Sequence, residues 1–293
     1  MKRTTMNRRT TIEKAVRTAA IIVLFTVSAA AYGQDRQLVV LHTNDTHSTI
    51  LPLSPNLADT AKADRGGFLR RISMLKEERR QHPDLLLFDS GDFSQGSPYY
   101  SMYKGEVEAE LMNRMGYDAG TIGNHEFDFG LETMAEVFGK LNFPIVCSNY
   151  DFRGTVVEGK VKDYVILKRN GLKIGVFGLA PKLSGLVAND NCMGVTYQDP
   201  IAEAQRVVGI LQKKKCDVII LLSHLGWNSA NGANDQQLIA ATRGIDLVLG
   251  GHSHTFFEEL QYVKNLDGKM IPVDQNGKHA IFVGKMVLDF KKK

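Results

Sequence analysis

The chain has 293 residues, of which 43% are hydrophobic and 23% are charged. This is the composition of an ordinary globular protein and excludes a low-complexity chain. The formal charge of +4 arises in residues 1–33, which contain six basic residues and one acidic residue, so residues 34–293 carry a formal charge of −1. The basic balance therefore gives no support for binding to a nucleic-acid polymer or an anionic membrane.

The N-terminal segment has the pattern of a secretory signal peptide. Basic residues precede an uncharged apolar run over residues 19–31, which ends in small residues and is too short to span a bilayer comfortably. We expect residues 1–33 to direct export to the periplasm or the exterior, either as a cleaved signal peptide or as an uncleaved anchor. A buried N-terminal helix is the structural alternative. Residues 34–293 are expected to form one domain.

Helix-like and strand-like segments alternate after this leader, which predicts an α/β fold. A helix is expected from Gly66-Gly67 to His82, with Leu69 and Leu75 on its apolar face and Arg71 on the opposite face. Asn170-Gly171 joins two β-rich runs over residues 164–177 and predicts an antiparallel hairpin with a type I′ turn, so the sheets should be mixed. The other predicted helices cover residues 106–115, 131–141, 200–215 and 235–242, and further strands are expected over residues 144–147 and 281–290.

Five apolar, strand-like runs end in polar residues that can hold a divalent metal or move a proton. Each alone has a structural explanation, such as a capping Asp45, a turn-forming Asp92 or a core His224. Together they favour a ligand site, because five of the eight histidines end such runs. Ligand sites of open α/β sheets lie beyond the carboxyl ends of the strands, which is where these residues fall. The clusters are Asp45-Thr46-His47, Asp92, Asn124-His125-Glu126-Phe127-Asp128, His224 and His252-Ser253-His254.

These motifs, in this order, resemble those of the calcineurin-like metallophosphoesterases. The fuller wording of Asn44–His47, Gly123–Asp128 and Gly250–His254 resembles the catalytic domain of secreted 5′-nucleotidases and 2′,3′-cyclic phosphodiesterases. The resemblance implies a layered α/β/β/α sandwich of two mixed sheets, with a dinuclear site for zinc, manganese, iron or cobalt at the carboxyl ends of the strands. The implied ligands of one ion are Asp45, His47, Asp92 and His254, and those of the other are Asp92, Asn124, His224 and His252.

The same resemblance implies hydrolysis of a nucleoside monophosphate to a nucleoside and phosphate by a hydroxide bound to the ions. His125 is expected to stabilise the transition state or donate a proton. Asp128 would hold the ring of His125, with a helix N-cap as its alternative role, and Glu126 would satisfy backbone groups. Alternative functions are hydrolysis of cyclic nucleotides, nucleotide diphosphates or other esters, and a non-catalytic or partner-dependent metal-binding subunit.

The family usually continues into a C-terminal nucleotide-binding domain, which we do not expect within residues 34–293. A separate polypeptide could supply that domain, and the expected ligand is a small phosphoester such as a nucleotide. Phe256 and Phe257 are interpreted as core aromatics, with a place in the crevice as the alternative. His42, His82 and His279 lie outside the motifs and receive no role. Cys147, Cys192 and Cys216 are predicted to be buried thiols, although the sequence permits one disulfide.

Overall fold

We obtained a computed structural model that describes residues 36–290, so the predicted signal peptide lies outside the described residues. Leu38–Val287 form one compact unit, whereas residues 36–37 and 288–290 belong to a second unit. Within residues 36–290, every helix is too short or too polar to cross a bilayer.

All five predicted helices are present, and the structure adds one short helix and several short strands that the sequence analysis did not predict. The helices are α1 Phe68–Gln81, α2 Pro98–Tyr103, α3 Glu106–Met115, α4 Gly130–Lys140, α5 Pro200–Lys213 and α6 Asp235–Ala240. The strands are β1 Arg36–Thr43, β2 Leu86–Asp89, β3 Ala119–Gly120, β4 Ile145–Val146, β5 Tyr150–Asp151, β6 Val161–Lys162, β7 Tyr164–Arg169, β8 Leu172–Leu179, β9 Thr196–Tyr197, β10 Val218–Ser223, β11 Leu247–Leu249, β12 Gln261–Lys264, β13 Met270–Asp274 and β14 Gly284–Phe290.

Two six-stranded sheets form the centre of the fold. Their strand orders are β14-β1-β2-β3-β4-β6 and β12-β13-β11-β10-β8-β7. Apolar residues of α1, α3 and α4 share a buried core with the first sheet, and those of α5 and α6 share a second core with the other sheet. The predicted α/β fold with two large mixed sheets and helices outside them is confirmed.

The hairpin that makes the second sheet mixed has the predicted turn. Arg169 pairs with Leu172 in the antiparallel β7–β8 ladder. Asn170 and Gly171 between them have φ values of 45° and 69°, the left-handed conformation that a type I′ turn requires. The parallel neighbours β8, β10 and β11 then all point their carboxyl ends in one direction.

Helix α1 has the predicted length and buries Leu75 as predicted, but two side chains lie on faces other than those expected. Leu69 is 75% exposed, whereas Arg71 is only 8% exposed. Arg71 is tolerated inside because its guanidinium donates a hydrogen bond of 2.7 Å to the carbonyl of Thr49. The apolar periodicity identified the helix correctly and assigned these two side chains to the wrong faces.

All three cysteines are free thiols. Cys147 is buried, as predicted, and burial raises the pKa of its thiol to about 12. Cys192 and Cys216 are half-buried, so the prediction of a buried thiol is wrong for both. Cys192 lies on a short 3₁₀ helix and Cys216 in the turn between α5 and β10, where neighbouring elements cover only part of each side chain.

Candidate metal centre

The polar clusters follow strands that are parallel neighbours in the two sheets. Strands β1, β2 and β3 are adjacent in the first sheet and precede Asp45, Asp92 and Asn124, respectively. In the second sheet, β10 and β11 are adjacent and precede His224 and His252. The two sheets meet at these ends, where the Ser90 hydroxyl donates a hydrogen bond of 2.8 Å to the carbonyl of Leu249.

The structure brings the predicted ligands into two neighbouring clusters. In each cluster, one potential ligand atom per residue lies within 4.8 Å of the others. The first cluster comprises Asp45, His47 and His254, and the second comprises Asp92, His224 and His252. A third group, His47, Asp92 and His125, shares His47 with the first cluster and Asp92 with the second, so these two residues link the clusters.

Short distances within these clusters bring together nitrogen and oxygen atoms that can act as metal ligands. His254 Nε2 lies 3.3 Å from Asp45 Oδ1 and 2.9 Å from His47 Nε2. His224 Nε2 lies 3.1 Å from Asp92 Oδ2 but does not have the geometry of a hydrogen bond. Electron pairs that converge on one another in this way can be satisfied together by a cation placed between them.

Unpartnered buried atoms test whether the residues fit a metal. Among the few buried side-chain atoms without a hydrogen bond in the described part of the chain are Asn124 Oδ1, His224 Nε2 and His47 Nδ1. Such atoms are rare in folded proteins because each one costs the free energy of lost hydration. A carbonyl oxygen, imidazoles and carboxylates without thiolates suit zinc, manganese, iron or cobalt, so the donor set fits the predicted group.

Several candidate ligands have a strained backbone. Asp45, His47, Asp92, His252 and His254 all have φ values between 44° and 70°, in the left-handed region. Non-glycine residues are uncommon there, and such conformations persist only when the surrounding structure enforces them. For example, the backbone N–H groups of Asp45 and His47 donate to the carbonyls of Gly91 and Asp92, which fixes the first loop against the second.

Gly123 allows the loops to approach closely. A Cβ atom on Gly123 would lie 2.7 Å from both Cγ and the backbone nitrogen of Asp92. The motif therefore contains glycine at this position because any larger residue would displace the carboxylate that links the two clusters.

The side chain of Glu126 binds backbone N–H groups of the loops around Asp92 and Gly123, as the sequence predicts. Its carboxylate accepts hydrogen bonds from the N–H groups of Gly123, Asp92 and Ser94 at 2.7, 3.1 and 3.1 Å. Glu126 is buried, and burial raises the pKa of its carboxyl. Its two oxygens are thus occupied by the backbone and are not directed at a metal.

His125 and Asp128 lie in contact. His125 Nδ1 is 3.0 Å from Asp128 Oδ2, and both side chains are about one-third exposed. Helix α4 begins two residues later with Phe129 as its cap and no side-chain capping hydrogen bond, so the alternative role of Asp128 as a helix cap is wrong. Burial lowers the pKa of His125, but the hydrogen bond to Asp128 and nearby carboxylates outweigh it and raise the pKa above the ordinary value.

The remaining imidazoles differ in their preferred protonation state. Burial lowers the pKa of His47, and it lowers that of His252 to about 4, so both rings are neutral near pH 7, as metal ligands must be. For His224, burial also lowers the pKa, but the adjacent Asp92 carboxylate outweighs burial and raises the pKa to about 10. A metal ligand must lose its proton, so a cation bound by His224 and Asp92 would compete with protonation of the His224 ring.

His279 lies at the centre although the sequence analysis gave it no role. Its ring centroid is 5.9 Å from that of His47, and its backbone N–H donates to the carbonyl of Asp45 at 2.7 Å. The rule used for the other clusters would have found it only if β13, which the sequence analysis did not predict, had been recognised, because β13 is parallel to β11 and ends five residues before His279. His42 lies elsewhere, against Asp274 at 2.8 Å.

The two phenylalanines after His254 have different environments. Phe257 packs edge-to-face against Trp227, with ring centroids 5.1 Å apart. Phe256 is 43% exposed and stacks against Phe282 at 4.2 Å, so its interpretation as a core aromatic is wrong.

Comparisons with known proteins agree with this geometry. The family model for calcineurin-like phosphoesterases matches residues 38–256. The chain is 32% identical to a 5′-nucleotidase of Bos taurus over 276 residues, which are 88% of this chain and 47% of that protein. It therefore spans about half the length of this curated relative.

Solved structures give the same result. The crystal structure of a 5′-nucleotidase precursor from Thermus thermophilus superposes with a TM-score of 0.77 at 29% identity, covering 86% of this chain and 51% of that one. The NAD nucleotidase of Haemophilus influenzae superposes with a TM-score of 0.74 at 25% identity, covering 88% and 48%. In both cases the similarity extends over most of the present chain.

Proposed function

The chain belongs to the calcineurin-like phosphoesterase family, and from this premise we propose that it hydrolyses phosphate monoesters, with nucleoside 5′-monophosphates as its substrates. The observation that carries the proposal is the convergence of carboxylate and imidazole groups from both sheets, with the group of His47, Asp92 and His125 joining the two clusters. The 5′-nucleotidases among the relatives support the choice of substrate.

The proposed ligands are those implied by the motifs. Asp45, His47 and His254 would hold one ion, His224, His252 and Asn124 would hold the other, and Asp92 would contribute to both. Two divalent ions bound there would activate water and neutralise charge on the phosphoryl oxygens. The chain itself supplies rigid placement, because the strained loops and the Glu126 hydrogen bonds fix the ligands before substrate arrives.

His125 is the proposed proton donor or transition-state stabiliser. With Nδ1 held by Asp128, its Nε2 is the atom available to the reacting groups. The raised pKa favours the imidazolium, whose Nε2–H can donate to the developing negative charge of the leaving oxygen. Asp128 keeps this ring in one orientation and stabilises its positive charge.

Metal content and phosphatase rate, measured on the same samples, test these roles. We expect Asp92→Ala to lose both metal and activity. We expect His125→Ala to retain metal while its rate falls by about 10²–10⁴, the usual contribution of a positioned acid or base. His82→Ala, a histidine outside the motifs, is the matched control. Loss of metal in His125→Ala would make His125 a ligand and overturn the role proposed for it.

A pyrophosphate substrate is the second candidate, since the chain is similar in fold and sequence to an NAD nucleotidase. A panel of nucleoside monophosphates, 2′,3′-cyclic nucleotides and dinucleotides separates these substrates. If the metal-loaded protein hydrolyses none of them until another polypeptide is added, a partner-dependent subunit becomes the better interpretation.

Export completes the proposal. The basic and apolar pattern of residues 1–33 supports a secretory leader, which would place the enzyme in the periplasm or outside the cell and give it a role in nucleotide catabolism there. N-terminal sequencing of the protein recovered from the periplasm distinguishes a cleaved leader, which begins the mature chain near residue 34, from a retained anchor.

A further inference from the structure

Gln275 is a buried polar side chain that the proposed chemistry does not use. It directly follows β13, and its exposed fraction is 0%. A buried amide is usually found only where both its oxygen and its nitrogen have partners, because leaving either group without a hydrogen bond costs free energy. The partners of Gln275 therefore indicate what this residue does.

Three partners of Gln275 lie in the loop that follows β11. The amide nitrogen of Gln275 donates a hydrogen bond to the carbonyl of Gly251. The amide oxygen accepts one hydrogen bond from the Ser253 hydroxyl at 2.8 Å and another from the backbone N–H of Thr255 at 2.5 Å. One side chain therefore contacts every second residue of this loop.

The two residues between these contacts are the proposed ligands His252 and His254. Their φ values are 70° and 54°, so both have a left-handed backbone, which non-glycine residues adopt only where the surrounding structure enforces it. The hydrogen bonds of Gln275 lie on both sides of each ligand. They therefore restrict the backbone from which each imidazole projects.

The three contacts require a group that both donates and accepts hydrogen bonds. The Thr255 N–H needs an acceptor and the Gly251 carbonyl needs a donor, and the amide of glutamine offers both in one plane. A carboxylate would place an oxygen against the Gly251 carbonyl, and an apolar side chain would remove all three hydrogen bonds. The amide also fits closely, because a Cβ on Gly250 would lie 3.1 Å from the Gln275 nitrogen, nearer than ordinary van der Waals contact.

We propose that Gln275 is a positioning residue that fixes the loop of His252 and His254, so that both imidazoles are in place before the ions bind. It acts through the backbone of the loop and not by ligation. The proposal rests on the ligand roles proposed for these two histidines and extends the centre to a residue outside the motifs. Because the two histidines are proposed for different ions, loss of the Gln275 contacts weakens the binding of both.

Amide hydrogen exchange in the metal-free protein, followed by NMR, tests whether the loop is held without the ions. We expect the Thr255 amide of the wild type to be protected, because the oxygen of Gln275 accepts its hydrogen. Gln275→Met should speed its exchange about tenfold, the scale of one lost hydrogen bond. The Ala180 amide, which donates to Asn149 Oδ1 at 2.9 Å, should exchange at an unchanged rate. Fast exchange of the Thr255 amide in the metal-free wild type, or equal acceleration of both amides in the variant, would overturn the proposal.

Zinc affinity, measured in competition with a chelator, tests the effect on the ligands, with Asn265→Leu as the matched control for Gln275→Met. Both changes replace a buried amide by an apolar side chain of similar size. Asn265 lies before β13, at the other end of that strand, and its oxygen accepts the backbone N–H groups of Asp267 and Lys269, each at 2.9 Å.

We expect both variants to unfold at lower urea concentrations than the wild type, because both lose buried hydrogen bonds. Only Gln275→Met should bind zinc more weakly, by about 10–100-fold, the usual contribution of a group that orients metal ligands. The same zinc affinity in Gln275→Met and wild type would overturn the proposal, and so would an equal loss in both variants.

These measurements separate the role of Gln275 from the proposed function. A wild type that hydrolyses phosphoesters but binds zinc no better than Gln275→Met would retain the function and refute the positioning role. A wild type that shows the expected exchange and affinity differences but hydrolyses no phosphoester would retain the positioning role and refute the function. If Gln275→Met does not fold, the Thr255 amide of the metal-free wild type decides: protection supports the proposal, and fast exchange overturns it.

Discussion

Replacing Gly123 by alanine is the most direct test of the site, because it adds one methyl group against a residue that links the two clusters. The new Cβ would lie 2.7 Å from Asp92 Cγ and 2.7 Å from the Asp92 backbone nitrogen. Non-bonded carbon atoms prefer about 3.5–4.0 Å, so the Asp92 side chain and its loop must move by about 1 Å. The Gly123 backbone is outside the left-handed region, so the effect is one of space and not of torsional strain.

A displacement of this size exceeds what a metal site tolerates, since ligand distances hold within about 0.2 Å. Asp92 is the proposed ligand of both ions, so we expect Gly123→Ala to retain fewer than one ion per chain. Its phosphatase rate should fall at least about 10²-fold, the upper range for disturbing a group next to the metal. Crowding in the packed interior should also lower the free energy of unfolding by about 1–3 kcal/mol.

Gly209→Ala is the matched control for this change. Gly209 lies within α5, and a Cβ there would meet no atom within 4 Å. Because alanine is the better helix former, Gly209→Ala should raise the free energy of unfolding by about 0.5–1 kcal/mol and leave metal content and rate unchanged. Elemental analysis, phosphatase assay and urea unfolding measure all three quantities. Two bound ions and a wild-type rate in Gly123→Ala would refute the assignment of Asp92 as the shared ligand.

Three further predictions concern groups behind the ligands and the metal itself. Burial raises the pKa of Asp89 from 3.8 to about 8, although a hydrogen bond from Thr43 acts in the opposite direction. Between these two pH values the carboxyl therefore keeps its proton in the folded protein and loses it in the unfolded protein. The free energy of unfolding of the metal-free protein should therefore fall as the pH rises from about 4 to about 8, by up to about 1.4 kcal/mol per pH unit. Measured by urea unfolding, this free energy should depend less on pH in Asp89→Asn than in wild type, and the same pH dependence in both proteins would contradict the prediction. Glu126→Gln replaces one acceptor oxygen by an amide nitrogen that faces backbone N–H groups, so it should lower the free energy of unfolding by about 1.5–3 kcal/mol, measured with urea. Glu132 is exposed, and Glu132→Gln should leave that free energy nearly unchanged. A chelator should lower the calorimetric Tm, because a ligand present at 100 times its Kd stabilises the folded state by about 2.7 kcal/mol, and an unchanged Tm would argue against a bound metal.

Local patterns in the sequence were sufficient for most of the elements and for the ligand clusters, but not for helix α2 or strands β12 and β13. The 3.6-residue periodicity identified α1 and α5, and Asn170-Gly171 specified its turn because that conformation depends on two residues alone. The clusters could be found because parallel strands align their carboxyl ends, so polar residues that end adjacent strands must meet. Glu126 was also interpreted correctly, since its backbone contacts lie within the motif and the adjoining loop.

Other features depended on contacts between distant parts of the chain, and no local pattern contains them. Arg71 is buried because a carbonyl 22 residues away accepts its hydrogen bond, although helical periodicity placed it on the polar face. His279 reaches the centre through Thr49 and Asp45, which lie 230 or more residues earlier. A small cavity lined by His47 likewise exists only where three separate segments of the chain pack together. The sequence by itself identified the candidate metal ligands, because their residue types and their places after strand-like runs are visible in it. Only the tertiary structure decided what surrounds them, because the paths of the loops depend on packing. They also depend on non-glycine residues with a left-handed backbone, and residue type alone does not predict that conformation.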